Sequence, residues 1–224
     1  MVVLVEIVEE LDAPGRGPAG LAWDGQILWN ADFREGKIFG LDPAGARVVD
    51  SFLCPGVLSG LAWDGVSLWQ GLMDEGWLRS INPATHDFDR TLVLEEAGRL
   101  AGVAWDGGRL WAVSQERGAL LVVDRASGAL TRTVSAPVAA GGLAYRDGTL
   151  WLGAPQSMRF NRQTQDFTWA DATERFALLQ IDAASGKETG RAKLDFLPLG
   201  LAWQEDQLWL ASPREGKLRR ARIR

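Results

Sequence analysis

Few side chains in this sequence can move a proton or attack an electrophile. There is one histidine, His86, and one cysteine, Cys54. The carboxylates Asp32, Glu35, Asp74, Glu75 and Glu116 stand close to short glycine-bearing turns and could act as general acids or bases. The amides Asn30 and Gln70 and the hydroxyls Ser59 and Ser114 could orient a ligand through hydrogen bonds. No Cys/His cluster has zinc spacing, and no ring of carboxylates suits calcium. No glycine-rich phosphate cradle opens a helix. The expectation is a chain with no metal site and no cofactor.

The elements that must position these residues come from a repeat. Five segments align without a gap: GLAWDGQILW from Gly20, GLAWDGVSLW from Gly60, GVAWDGGRLW from Gly102, GLAYRDGTLW from Gly142 and GLAWQEDQLW from Gly200. Nine of the eleven tryptophans fall inside them, and Tyr145 stands where a tenth would be. Tandem similarity at this period signals an array of supersecondary units. Apolar and polar residues alternate around a central D-G, the text of a tight hairpin joining strands a and b. A third strand follows a glycine turn (KIFGLD, WLRSIN, ALLVVD, ALLQID, KLRRAR). A fourth follows DPAG-like turns. Four strands per unit, five units and no helical period predict an all-β, five-bladed β-propeller with antiparallel blades, as one domain over 1–224.

The ends supply an independent reason to close the ring. The last unit runs out after its third strand, and the N-terminal VLVEIVEELDAP matches the fourth strand of the first unit. Val3 to Leu11 is therefore expected as the outermost strand of the last blade, which removes an exposed sheet edge. The basic LRRARIR should pair there with Glu6, Glu9 and Glu10. The recurring tryptophans read as packing between blades. Asp24, Asp64 and Asp106 read as turn residues.

In such a blade the start of strand a and the b–c loop share one face, and the a–b and c–d turns share the other. His86, in the c–d turn NPATHD, then lies away from the b–c face, so Ser-His chemistry is not expected there. Blade four carries an insertion of about 156–176 between strands b and c, long enough to overhang the channel mouth as a lid. Asn30, Asp32, Ser59, Gln70 and Ser114 should form a polar crescent at that mouth, facing Arg159, Phe160 and Trp169 of the insertion.

Bulk properties bound the partners. A net charge of -5 provides no global field for nucleic acid or anionic membrane. The N-terminus lacks a basic, cleavable leader, and the single cysteine excludes an intramolecular disulfide. The expectation is a cytoplasmic monomer whose partner is a small molecule or peptide.

The GLAW strand, the following LW and the short b–c loop resemble YncE-like and glutamine cyclotransferase-like propellers, and five blades favour the latter. That resemblance implies a relative of enzymes that turn N-terminal glutamine into pyroglutamate, using polar residues just before the strand a glycine. Here those places hold Ala19 and Ser59. The function expected is therefore a ligand-binding propeller, with a cyclotransferase-like enzyme (acyl transfer, cyclisation or elimination) and a protein-interaction platform as alternatives.

Overall fold

A computed structural model describes residues 2–45, 47–155, 158–161, 163, 166–169 and 176–224, with the backbone alone for 158–161 and 166–169. Its strands fall into five four-stranded antiparallel sheets and one small hairpin. The N-terminal strand is β1 (Val5–Asp12). Blade one holds β2 (Pro18–Trp23), β3 (Leu28–Asp32), β4 (Lys37–Asp42) and β5 (Arg47–Leu53). Blade two holds β6 (Leu58–Trp63), β7 (Leu68–Leu72), β8 (Trp77–Ile81) and β9 (Phe88–Val93). Blade three holds β10 (Leu100–Trp105), β11 (Leu110–Ser114), β12 (Ala119–Val123) and β13 (Leu130–Ser135). Blade four holds β14 (Leu143–Arg146) and β15 (Thr149–Pro155), then the hairpin β16 (Met158–Asn161) and β17 (Asp166–Trp169), then β18 (Phe176–Asp182) and β19 (Glu188–Leu194). Blade five holds β20 (Gly200–Gln204), β21 (Gln207–Ser212) and β22 (Lys217–Ile223).

The fourth strand of blade five is β1, paired antiparallel with β22 from Val5 opposite Ile223 to Asp12 opposite Lys217, with a one-residue shift of register between Ile7 and Glu9. Ion pairs join Glu10 to Arg219 (2.8 Å), Glu9 to Arg220 (2.6 Å) and Glu6 to Arg224 (2.9 Å). The expected closure is thus present, shifted at its start. Val3 donates its N–H to the Arg191 carbonyl of blade four at 3.0 Å, so the first residues tie two blades together.

Each strand b presents one face to either neighbouring blade, because successive side chains alternate. Trp29 and Ala31 pack with Leu61, Leu68 and Leu72 of blade two, while Leu28 packs with Trp209 and Ala211 of blade five. The core is therefore a series of inter-blade seams. Trp29, Trp69, Trp111, Trp151 and Trp209 are all buried in them. The turn residue five positions before three of these tryptophans has a second task besides the turn. Asp24, Asp64 and Asp106 accept the indole N–H of Trp29, Trp69 and Trp111 at 2.7, 2.8 and 2.8 Å. Their other carboxylate oxygen accepts backbone N–H groups of the a–b turn.

Candidate functional site

The five opening glycines form the waist of the channel. A Cβ built on Gly60 would lie 2.2 Å from Val103 N and 2.5 Å from Ala101 O. On Gly20 it would meet Leu61 N at 2.4 Å, and on Gly102 Leu143 N at 2.5 Å. The inner strands therefore touch backbone to backbone around the ring, which only glycine permits. No side chain stands between neighbouring inner strands at this level, so the channel is narrowest here. The waist separates two mouths.

At the b–c mouth lies a cavity of about 210 Å³. Its floor is the residue before each opening glycine in four blades: Ala19, Ser59, Ala101 and Leu199. Its walls are the first residues of three b–c turns, Phe33, Met73 and Gln115, with Val57 and Arg99 from the connections entering strand a and Leu58 at the start of β6. The lining is mostly apolar. Ser59 Oγ donates to the Gly71 carbonyl at 3.0 Å, and Gln115 Nε2 donates to the Ala140 carbonyl at 3.1 Å. Among the described residues, the one charged member of the lining is Arg99. Its Nε donates to Asp74 Oδ1 at 3.3 Å and its Nη2 contacts Met73 Sδ at 3.1 Å, so the guanidinium is held at the rim and stays partly exposed.

Of the crescent read from the sequence, Ser59 lines this cavity. Asn30, Asp32, Gln70 and Ser114 are fully buried, and each bonds the backbone. Asp32 accepts the N–H groups of Gly17, Arg34 and Glu35, which fixes the b–c turn of blade one. Ser114 Oγ bonds the Ala97 carbonyl. Asn30 Nδ2 donates to the carbonyls of Gly20 and Ala31, and Gln70 Nε2 to those of Gly60 and Gly71. Their amide oxygens, Asn30 Oδ1 and Gln70 Oε1, have no partner among the described residues. The parity of strand b explains this placement: its residues look into seams, and only the residue beyond the strand reaches the mouth. Phe33, Met73 and Gln115 stand four residues after the second motif tryptophan, one step past the positions the sequence reading selected. Arg99 was legible as well, since the place three before the opening glycine holds Gly17, Val57, Arg99, Ala139 and Leu197.

The insertion forms the hairpin β16–β17 and is rooted where Pro155 pairs with Phe176, at the b–c end of blade four. The side chains of Arg159, Phe160 and Trp169 lie outside the described residues.

The remaining reactive groups are placed elsewhere. His86 bonds Asp50 of blade one at 2.9 Å and stacks on Phe52, on the opposite face. Cys54 is buried, and burial pushes its thiol above the usual range against the opposing contact with Arg79. It offers no thiolate nucleophile. Among the described residues, no three His, Cys, Asp or Glu side chains converge as metal ligands do. The other mouth holds a smaller cavity of about 120 Å³ between the five strand a segments, with Trp23, Trp63, Trp105, Tyr145 and Trp203 around it.

No protein-family model and no curated protein matches the chain. Among solved structures, a chain of the mitotic checkpoint complex is 16% identical, with a TM-score of 0.61 over 96% of this chain and 91% of that one. Glutaminyl cyclase of Myxococcus xanthus is 18% identical, with a TM-score of 0.79 over 99% of this chain and 97% of that one. From end to end, the chain has the five-bladed propeller fold of glutaminyl cyclase.

Proposed function

We propose that the protein binds a small molecule, or the end of a peptide, in the b–c mouth. The observation that supports this is the cavity itself, an apolar bowl with one cation at its rim, built from side chains that differ from blade to blade. Its volume equals that of about seven waters, which suits one amino-acid residue or a metabolite of similar size. Arg99 would receive a carboxylate, Ser59 and Gln115 would set orientation, and Met73 and Phe33 would cover the apolar part. The hairpin of blade four, rooted on the same face, would bound the site on its remaining side. In this reading the protein is a cytoplasmic monomer.

A thermal-shift screen of metabolites and short peptides tests the proposal. A ligand at 100 times its Kd adds about 2.7 kcal/mol. For a chain of this length that is a rise in Tm of roughly 5–10 °C. Arg99→Ala should weaken a carboxylate ligand, and Met73→Trp should fill the bowl and abolish binding. A hit whose shift survives Met73→Trp would move the site elsewhere, and a screen with no hit would count against binding.

A second reading, a cyclotransferase-like enzyme, is supported by the match with glutaminyl cyclase over 99% of the chain. Such chemistry needs an amine attacking a γ-amide carbonyl, with a proton delivered to the departing ammonia. The carboxylate bonded to the cavity lining is Asp74, on Arg99. Ammonia release from a peptide with N-terminal glutamine, lost in Asp74→Asn, is the result expected of the enzyme. Absence of release from the intact protein would exclude this reading.

A further inference from the structure

The fourth blade lacks a part that the other four possess. In blades one, two and three the indole N–H on strand b is accepted by the carboxylate of the a–b turn, and in blade five by the Gln204 amide oxygen at 2.8 Å. In blade four the turn residue at that place is Arg146, a donor with no acceptor. No bond from the Trp151 Nε1–H is made among the described residues. Arg146 turns instead over the ring of Trp203, 4.6 Å from its centroid, and Trp203 meets Trp151 edge to face at 5.4 Å. The Nε1–H of Trp203 is shut off from water and also has no acceptor among the described residues.

The side chains of Arg146, Trp151 and Trp203 line one groove of about 530 Å³ in the seam of blades four and five, on the a–b face. Thr149 and Arg222 line it as well. Arg222 pairs with no carboxylate among the described residues, whereas Arg224 is engaged by Glu6. Two side-chain carboxylates line the groove with these donors. Asp147 is highly exposed and touches Arg146 at 3.3 Å. Asp206, in the turn of blade five, is exposed. Among the described residues, one seam thus holds two indole N–H groups without acceptors, two arginines and a hydroxyl, where blades one to three hold a carboxylate and blade five an amide.

We infer that this seam is an oxyanion site, taking a carboxylate or phosphate group where Asp24, Asp64 and Asp106 stand in blades one to three. The anion accepts from the Trp151 indole, and Arg146 and Arg222 supply charge. The ligand class follows from what the repeat omits. The site lies on the opposite side of the waist from the b–c mouth and does not depend on the function proposed there.

The test reads the indole N–H resonances of ¹⁵N-labelled protein. Sodium acetate, the side chain of aspartate as a free ion, and sodium phosphate are titrated at constant ionic strength against sodium chloride. Saturable movement of the Trp151 and Trp203 signals, identified by Trp151→Phe and Trp203→Phe, is expected with a dissociation constant on the order of 1–10 mM. A response to acetate alone, or to phosphate alone, supports the site and names the preferred oxyanion. Arg146→Asp restores the residue of the repeat. It should move the Trp151 signal toward those of Trp29, Trp69 and Trp111 and weaken the anion response roughly tenfold or more. If that variant does not fold, Arg146→Gln, copying blade five, takes its place. No saturable movement with either anion, equal movement with chloride, or an undiminished response in the variant would overturn the inference.

Discussion

Adding one methyl group at Gly60 should be among the most damaging small changes the protein can suffer. Its Cβ would lie 2.2 Å from Val103 N, 2.5 Å from Ala101 O and 2.5 Å from Gly102 C. Attractive contact between such atoms begins near 3.5 Å, so the overlap is roughly 1 Å with three backbone atoms at once. No rotamer relieves it, because an alanine methyl has none and the obstacles are main chain. Strands β6 and β10 must part, and with them the seam that carries Trp69. Overpacking of this kind costs about 1–3 kcal/mol or more, and the backbone clash puts Gly60→Ala at the upper end. The stiffer unfolded chain returns about 0.4–1 kcal/mol. The net expectation is a loss of about 2–3 kcal/mol, read from urea unfolding, and a fall in Tm of roughly 5–10 °C. Gly45→Ala is the internal control, since no atom lies within 4 Å of its Cβ position. That variant should match or slightly exceed the parent in stability. If Gly60→Ala unfolds within about 0.5 kcal/mol of the parent, the waist is not a backbone contact and the account of the channel fails.

Trp69→Ala empties a seam and strips Asp64 of its indole donor, so a loss of roughly 3–5 kcal/mol is expected in the same assay. A loss below about 1 kcal/mol would mean that the seam tryptophans do not carry the core. Asp64 itself is desolvated, which raises its pKa, yet the N–H groups of Ser67 and Val66, the Trp69 indole and Arg125 outweigh that and hold it below the usual range. Its carboxylate therefore stabilises the fold fully above the unfolded value near 4, and this is lost as pH falls through the lowered folded value. Asp64→Asn should cost about 1–3 kcal/mol at neutral pH, with a gap to the parent that is flat down to about pH 5 and narrows below 4. A gap that widened on acidification would contradict the assignment. Removing residues 1–12 exposes the edge of β22, takes away the carboxylates paired with Arg220 and Arg224, and leaves Arg219 with Glu215 alone. The shortened chain should lose its sharp unfolding transition or aggregate, and an unchanged melt would show that closure contributes nothing.

The fold was legible because its signals are periodic. The GLAW text, the D-G turns and the unpaired last blade each led to the same ring, and the charges of β1 and β22 matched as expected. What the period concealed was the second use of its own letters. Asp24 and Trp29 read separately as a turn residue and a packing residue, yet the spacing of five joins them by a hydrogen bond. The mouth was harder to read. Asn30 and Gln70 break the repeat and carry polar groups, so they resembled ligand contacts. Their strand sends them into seams, where each donates to one carbonyl of the inner strand and one of its own strand. Position along a strand is visible in a sequence, but the residue at which a strand ends and a turn begins is not. That single step separates Asp32 and Ser114 from Phe33 and Gln115. Arg99 was missed for another reason, since it stands outside the aligned ten positions.

The contact of inner strands at the waist also bears on how such a ring could gain or lose members. Repeat arrays readily copy or drop whole units, and nothing in the seams between neighbours forbids a sixth. At the same spacing six inner strands would leave a wider central hole, yet each glycine would still meet the backbone of the next strand as closely as Gly60 meets Val103 and Ala101. The ban on a methyl group at the head of a repeat therefore belongs to each pair of neighbours and not to the number of blades. A descendant of this chain with an added unit should keep glycine at that place in every repeat, the new one included.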